Sequence, residues 1–195
     1  PYGQQGYKPD DYRYSKLPDM VTSIRDLGYK VEVLLQWEKP KKGTEIVIVT
    51  AGLEAQLSFT GKFTEEDIEK IIIGIKDKSF IGQIIKKDEL MRRGVCDGFA
   101  DLLISPKVPY SFKTNSKAYR ARGQHDSLDD RAQHIFSMMW GRDIKKGIVY
   151  DKRVYNIDFA RTMAKLLDID GPKNATGNIL DEVLINGVLI HKERL

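Results

Sequence analysis

The sequence has few of the features that mark the common enzyme classes. It contains one cysteine, Cys96, so no intrachain disulfide can form, and we interpret this residue as a small buried or turn residue rather than as a nucleophile. Glycine-rich phosphate loops, C-x-x-C pairs and H-E-x-x-H segments are all absent. The absence of these motifs argues against dinucleotide-binding proteins, P-loop nucleotide hydrolases and zinc proteases.

Long hydrophobic runs are also missing. No apolar stretch approaches the length needed to cross a bilayer, and no signal peptide is visible. We therefore expect a soluble protein, and its compartment stays open because the chain begins at Pro1 without a methionine. The prominence of isoleucine and lysine is compatible with a thermophilic source.

The charge pattern argues against nucleic acid as the main partner. The net charge is only +4, and lysines and arginines alternate with acids along most of the chain, as on solvated faces. The exception is Lys107–Arg122, which holds five basic residues and three aromatic residues but no acid. We interpret it as a solvated surface loop, with contact to phosphate or to another chain as the alternative.

The order of predicted elements indicates an α/β protein. Glu45–Val49 is a β-branched strand typical of a parallel sheet buried on both faces, and Thr64 begins a capped helix with a stripe of isoleucines. Further strands are predicted at Phe80–Ile85 and Ile135–Trp140. We expect a layered, mostly parallel sheet with helices on both faces. The predicted organisation is an extended, tyrosine-rich arm over residues 1–16 and a single domain over residues 17–195.

The second half of the chain carries a series of short motifs in a fixed order. They are Gly123-Gln124-His125-Asp126, His134, Trp140-Gly141, Lys146-Gly147 and a helix from Asp158 to Leu167. This order resembles the C-terminal half of the type I phosphodiesterase/nucleotide pyrophosphatase branch of the alkaline phosphatase superfamily. The resemblance is fairly specific over residues 97–184 and thinner over residues 44–96.

The resemblance implies a metal-dependent phosphodiesterase chemistry that this chain does not carry in full. Such enzymes use two metal ions, commonly zinc, to polarise the phosphoryl group and activate the nucleophile. His125 matches the last metal ligand, with Asp126 in place of the usual glycine. After the buried strand, however, the expected Asp-His pair is replaced by Gly52 and Leu53, and the register of Glu54 is wrong for a substitute. We therefore predict His125 as a metal residue and expect no catalytic or cofactor-binding residue on this chain.

Three hypotheses about function remain open. The first is a degenerate phosphodiesterase-like domain that serves as a structural or interaction subunit. The second is a fragment or split half of a live phosphodiesterase that hydrolyses phosphate esters, with zinc or another divalent metal bound only when another segment completes the site. The third is an unrelated α/β domain that binds phosphate or nucleic acid through Lys107–Arg122. In the first two cases we expect a protein partner or self-association to cover an exposed sheet face.

Overall fold

The computed structural model describes residues 5–6, 16–35, 37–112, 123–124 and 126–185. The chain divides into two compact units, Pro1–Phe136 and Ser137–Leu195. Most of the predicted tyrosine-rich arm, residues 1–4 and 7–15, lies outside the described residues, so the arm and its boundary at residue 16 stay predictions.

The first unit is built on a five-stranded sheet with short helices. Its elements in chain order are β1 (Gln5–Gly6), α1 (Leu17–Asp26), β2 (Val31–Leu34), β3 (Ile46–Ala51), β4 (Glu54–Phe59), α2 (Glu65–Lys76), β5 (Ile81–Lys86), α3 (Lys87–Arg92), β6 (Leu102–Pro106), β7 (Gly123–Gln124) and α4 (Asp130–Gln133). Strands β2 to β6 form one sheet in the order β2-β3-β4-β6-β5, and β1 pairs with β7. The α/β class predicted from the sequence is confirmed.

The prediction of a mostly parallel sheet is wrong. Only β2 and β3 run parallel in the five-stranded sheet, whereas the β3-β4, β4-β6 and β5-β6 pairs are antiparallel. The reason is the sharp turn at Gly52 and Leu53, which folds β4 straight back along β3. No strand is predicted from the sequence at β4, although its polar and apolar residues alternate as on a half-buried strand, because the segment holds no β-branched residue.

Helices α1 and α2 cover one face of the sheet. Their apolar side chains join those of the strands in the main core, which includes Met20, Ile24, Ile46, Ile48, Leu57, Ile71, Ile75, Leu102 and Ile104. Helix α2 begins as predicted: the Thr64 hydroxyl accepts a hydrogen bond from the Asp67 backbone N–H, and the Asp67 carboxylate accepts one from the Thr64 backbone N–H. This capping box fixes where the helix starts.

Among the described residues of the first unit, the other face of the sheet is covered only in part. Leu90 of α3 packs there with Ile85, Leu103 and Ala100, and Leu128 lies against the same cluster. Helices therefore lie on both faces, as predicted. Towards β2 and β3 the same face carries half-buried valines and a half-buried leucine: Leu34, Val47 and Val49.

The second unit packs around one helix and one short turn of 3-10 helix. These are α5 (Asp158–Leu167) and η1 (Asp181–Val183), and their small core includes Ile144, Leu180 and Leu184. The strand predicted at Ile135–Trp140 is wrong: the segment is irregular, and its apolar side chains are mostly exposed. A short apolar run alone cannot distinguish a buried strand from an exposed loop.

A buried carboxylate and hydroxyl join α5 to the chain that follows it. Asp158 accepts hydrogen bonds from the backbone N–H groups of Tyr155 at 2.8 Å and Asn178 at 2.7 Å. Thr162 donates to the Asp158 carbonyl at 2.7 Å and accepts from the Leu180 N–H at 3.0 Å. Asp158, which the family resemblance aligns with the start of a helix, therefore has a structural role in this unit.

Candidate functional site

The turn between β3 and β4 lies where the resemblance implies a pair of metal ligands. Ala51 pairs with Glu54, so Gly52 and Leu53 alone reverse the chain. Gly52 has a φ of +60°, a left-handed conformation that suits glycine in a two-residue hairpin turn. The Leu53 side chain is only 2% exposed, and its carbonyl accepts a 2.9 Å hydrogen bond from the Phe112 N–H.

Asp126 lies directly against this turn. A Cβ placed on Gly52 would come within 2.2 Å of the Asp126 Cβ, so a side chain at position 52 would require Asp126 or the turn to move. His125, the predicted metal residue, lies outside the described residues, and its place in a site stays a prediction. Its neighbour in the chain, Asp126, lies beside Gly52, the residue that follows β3.

Glu54, the first residue of β4, contributes a carboxylate to the same neighbourhood. Burial raises the pKa of Glu54, and the negative charge of Asp126 raises it further, while hydrogen bonding from the Ser105 hydroxyl and the Leu128 backbone opposes the shift. Among the described residues, its buried Oε1 atom has no hydrogen-bond partner. The carboxyl is thus easier to protonate than an exposed glutamate.

A polar network holds the segment that follows Asp126. The Leu128 N–H donates a 2.9 Å hydrogen bond to the hydroxyl of Ser105, which is buried at the end of β6. The Leu128 carbonyl accepts a hydrogen bond from the Gln83 side chain at 3.1 Å, and the Ser127 carbonyl accepts one from Gln133 at 2.6 Å. The segment is therefore fixed to the sheet by β5 and β6, which explains why Asp126 has a defined place beside Gly52.

The described part of this site does not assemble a metal centre. Within residues 16–35, 37–112 and 126–185, no group of three or more His, Cys, Asp or Glu side chains could hold an ion. The turn offers a glycine and a buried leucine, neither of which can donate to a metal. Glu54 and Asp126 supply two carboxylates, fewer than the carboxylate and imidazole ligands that each ion of a two-metal site requires.

The other candidates from the sequence are either exposed or largely outside the described residues. His134 is exposed and ends α4, where its backbone N–H donates to the Asp130 carbonyl at 2.9 Å. Cys96 is exposed. Lys107–Arg122, the basic loop, falls largely outside the described residues, which resume after Phe112 only at residue 123.

One exposed feature of the surface lies between β2 and β3. Trp37, between β2 and β3, is 96% exposed and has a φ of +76°, which is rare for a bulky residue. The sequence has a tryptophan followed by three lysines around Pro40, a composition that predicts a turn after Trp37 but not the exposure of its indole.

Comparisons with protein-family models, with curated proteins and with solved structures find no match to this chain. In the part of the chain that the structure describes, no helix combines the length and apolar character needed to cross a membrane.

Proposed function

We propose that this chain is a degenerate phosphodiesterase-like domain of alkaline phosphatase ancestry, which does not catalyse and serves as a structural or interaction subunit. The observation that carries the proposal is the closed turn at Gly52 and Leu53. At the strand end where the resemblance implies an aspartate and a histidine, Gly52 cannot take a side chain unless Asp126 or the turn moves, and the side chain of Leu53 is buried.

The closed turn argues for loss of the site rather than for a simple change of ligand. A ligand at position 52 would need space that Asp126 occupies, and a ligand at position 53 would replace a leucine that is 2% exposed. Restoring the ligand pair would therefore require repacking of the hairpin and of the segment after His125. Such repacking is costly because protein interiors have little free volume.

The role as an interaction subunit rests on exposed apolar side chains. Val149 is 93% exposed and Trp140 is 83% exposed in the second unit, where Met138, Leu167 and Ile169 are exposed as well. In the first unit, the described residues give the sheet face that carries Val47 and Val49 little helical cover beside those strands. Large apolar side chains in water favour association, so a protein partner or a second copy of the chain would stabilise them.

A direct test is the hydrolysis of a nitrophenyl phosphodiester by the purified protein with added zinc. The proposal predicts the same rate for the unchanged protein and the His125→Ala variant, both at the level of buffer with zinc. A rate above buffer that disappears in His125→Ala would overturn it. Circular dichroism of both proteins checks that the substitution leaves the fold intact.

A split phosphodiesterase is the second candidate, favoured by the contact between Asp126 and the end of β3. This contact is what a completed site would need, since it brings the residue after His125 to the strand end. Glu54 adds a nearby carboxylate. In this case hydrolysis should appear when a second chain supplies the nucleophile and the remaining ligands, and His125→Ala should abolish it. Zinc or another divalent metal would then be bound only in the assembled pair.

A further inference from the structure

The loop between β2 and β3 exposes two large apolar side chains. This surface, called the Trp37 loop, consists of residues 35 and 37–43. Trp37 is 96% exposed and Leu35 is 61% exposed. A tryptophan so exposed gains nothing from the core, although burial of an aromatic ring is among the larger favourable contributions to folding.

The loop is held in place by its own hydrogen bonds. The Glu38 carboxylate accepts a 2.7 Å hydrogen bond from the Leu35 N–H, and the Glu38 N–H donates to the Leu35 carbonyl at 3.3 Å. Glu32 of β2 accepts a hydrogen bond from the Lys41 N–H at 3.1 Å. These bonds hold Trp37 in its strained backbone conformation, so the exposed indole is presented by a defined turn.

The charge around the indole is positive. Lys39, Lys41 and Lys42 are all exposed, against the single acid Glu38 within the loop. Lys41 lies 4.0 Å from Glu32, whereas Lys39 and Lys42 form no ion pair with any residue that the structure describes. The loop therefore combines an apolar tip with two lysines that form no ion pair among the described residues.

We propose that the Trp37 loop docks on an anionic phospholipid surface. Tryptophan is favoured at the boundary between headgroups and acyl chains, and Leu35 adds apolar surface beside it. Lys39 and Lys42 are attracted by the negative potential of anionic headgroups. Single-stranded nucleic acid fits less well, since base stacking would use the indole but would leave the leucine in water. The proposal goes beyond the proposed function and does not depend on the fate of the metal site.

The test uses the full chain and vesicles of two compositions. In a Trp140→Phe background, Trp37 is the only tryptophan, so its fluorescence reports on the loop alone. We expect a blue shift and co-sedimentation with vesicles that contain one third phosphatidylserine, and neither with pure phosphatidylcholine. Binding should weaken about 30-fold in Lys39→Gln/Lys42→Gln, given about 1 kcal/mol per lysine near an anionic surface.

Matched variants distinguish an effect of the Trp37 loop from an effect of the overall charge of the protein. Lys62→Gln/Lys78→Gln removes the same charge from two exposed lysines elsewhere in the first unit and should keep binding within about twofold. The Trp37→Ala variant should no longer co-sediment with the vesicles, while its circular dichroism stays unchanged. Equal losses in the two lysine pairs, equal binding to both vesicles, or a Trp37 response only to a single-stranded oligonucleotide would overturn the proposal.

Discussion

Substitution of Gly52 by alanine tests the contact on which the closed turn depends. In the structure a Cβ at position 52 would lie 2.2 Å from the Cβ of Asp126 and 2.5 Å from one of its carboxylate oxygens. Real Cβ atoms do not approach so closely, so either the hairpin or the segment after His125 must move. The substitution adds one methyl group and no charge, so its effect reports on space and backbone strain alone.

The expected cost has two parts. A residue with a Cβ in a left-handed conformation costs about 1–2 kcal/mol relative to glycine. Overpacking adds about 1–3 kcal/mol. Gly52→Ala should therefore lower the free energy of unfolding by about 2–5 kcal/mol. Gly28→Ala is the matched control: Gly28 also has a positive φ, +100°, but nothing lies within 4 Å of its added Cβ, so only the backbone cost of about 1–2 kcal/mol should appear.

Urea unfolding followed by circular dichroism measures both costs, and a double-mutant cycle isolates the contact. Asp126→Gly removes the Cβ and carboxylate that oppose position 52. In that background Gly52→Ala should cost about as much as Gly28→Ala, so the coupling between positions 52 and 126 should be about 1–3 kcal/mol. A coupling within error of zero would refute the contact, and with it the argument that the turn has no space for a ligand.

Three further predictions concern single side chains. Glu54→Gln should stabilise the protein at neutral pH and change little in acid. Because folding raises the pKa of Glu54, the stability contributed by its protonated carboxyl is fully present below its pKa in the unfolded chain. That stability is lost as the pH rises through its pKa in the folded protein, whereas glutamine stays neutral at every pH. Unfolding measured from pH 4 to pH 8 checks this, with exposed Glu66→Gln as control. Thr162→Val should cost about 1–3 kcal/mol in thermal unfolding because a buried hydroxyl bridges two backbone groups, whereas exposed Thr176→Val should cost almost nothing. Thr64→Ala should cost about 1 kcal/mol through loss of the helix cap.

The sequence predicted elements with strong local signals and missed those set by long-range pairing. Helix α2 was found because Thr64 and Asp67 form a capping box and the isoleucines that follow repeat with helical spacing. The direction of the strands could not be read in the same way. A buried β-branched strand such as Ile46–Ala51 suits a parallel or a mixed sheet, and the two-residue turn at Gly52 that decides between them carries no Asn-Gly or Asp-Gly signal.

The candidate site stays a prediction. The sequence shows that Gly52 and Leu53 offer no ligand side chain at the positions where the resemblance implies a ligand pair. The contact between Gly52 and Asp126 was not visible in the sequence, because the two residues are far apart along the chain and meet only when the protein folds. The Trp37 loop was missed for a different reason: a turn between strands predicts exposure of lysines, but not that a tryptophan takes a positive φ and stays in solvent.

Metal content measured on natively purified protein, with whatever co-purifies left in place, tests the central claim most directly. Elemental analysis of the unchanged chain and of His125→Ala should give the same result, with no stoichiometric zinc or other transition metal in either. About two ions per chain in the unchanged protein, lost in His125→Ala, would contradict the account and show that a two-metal site is completed around this turn.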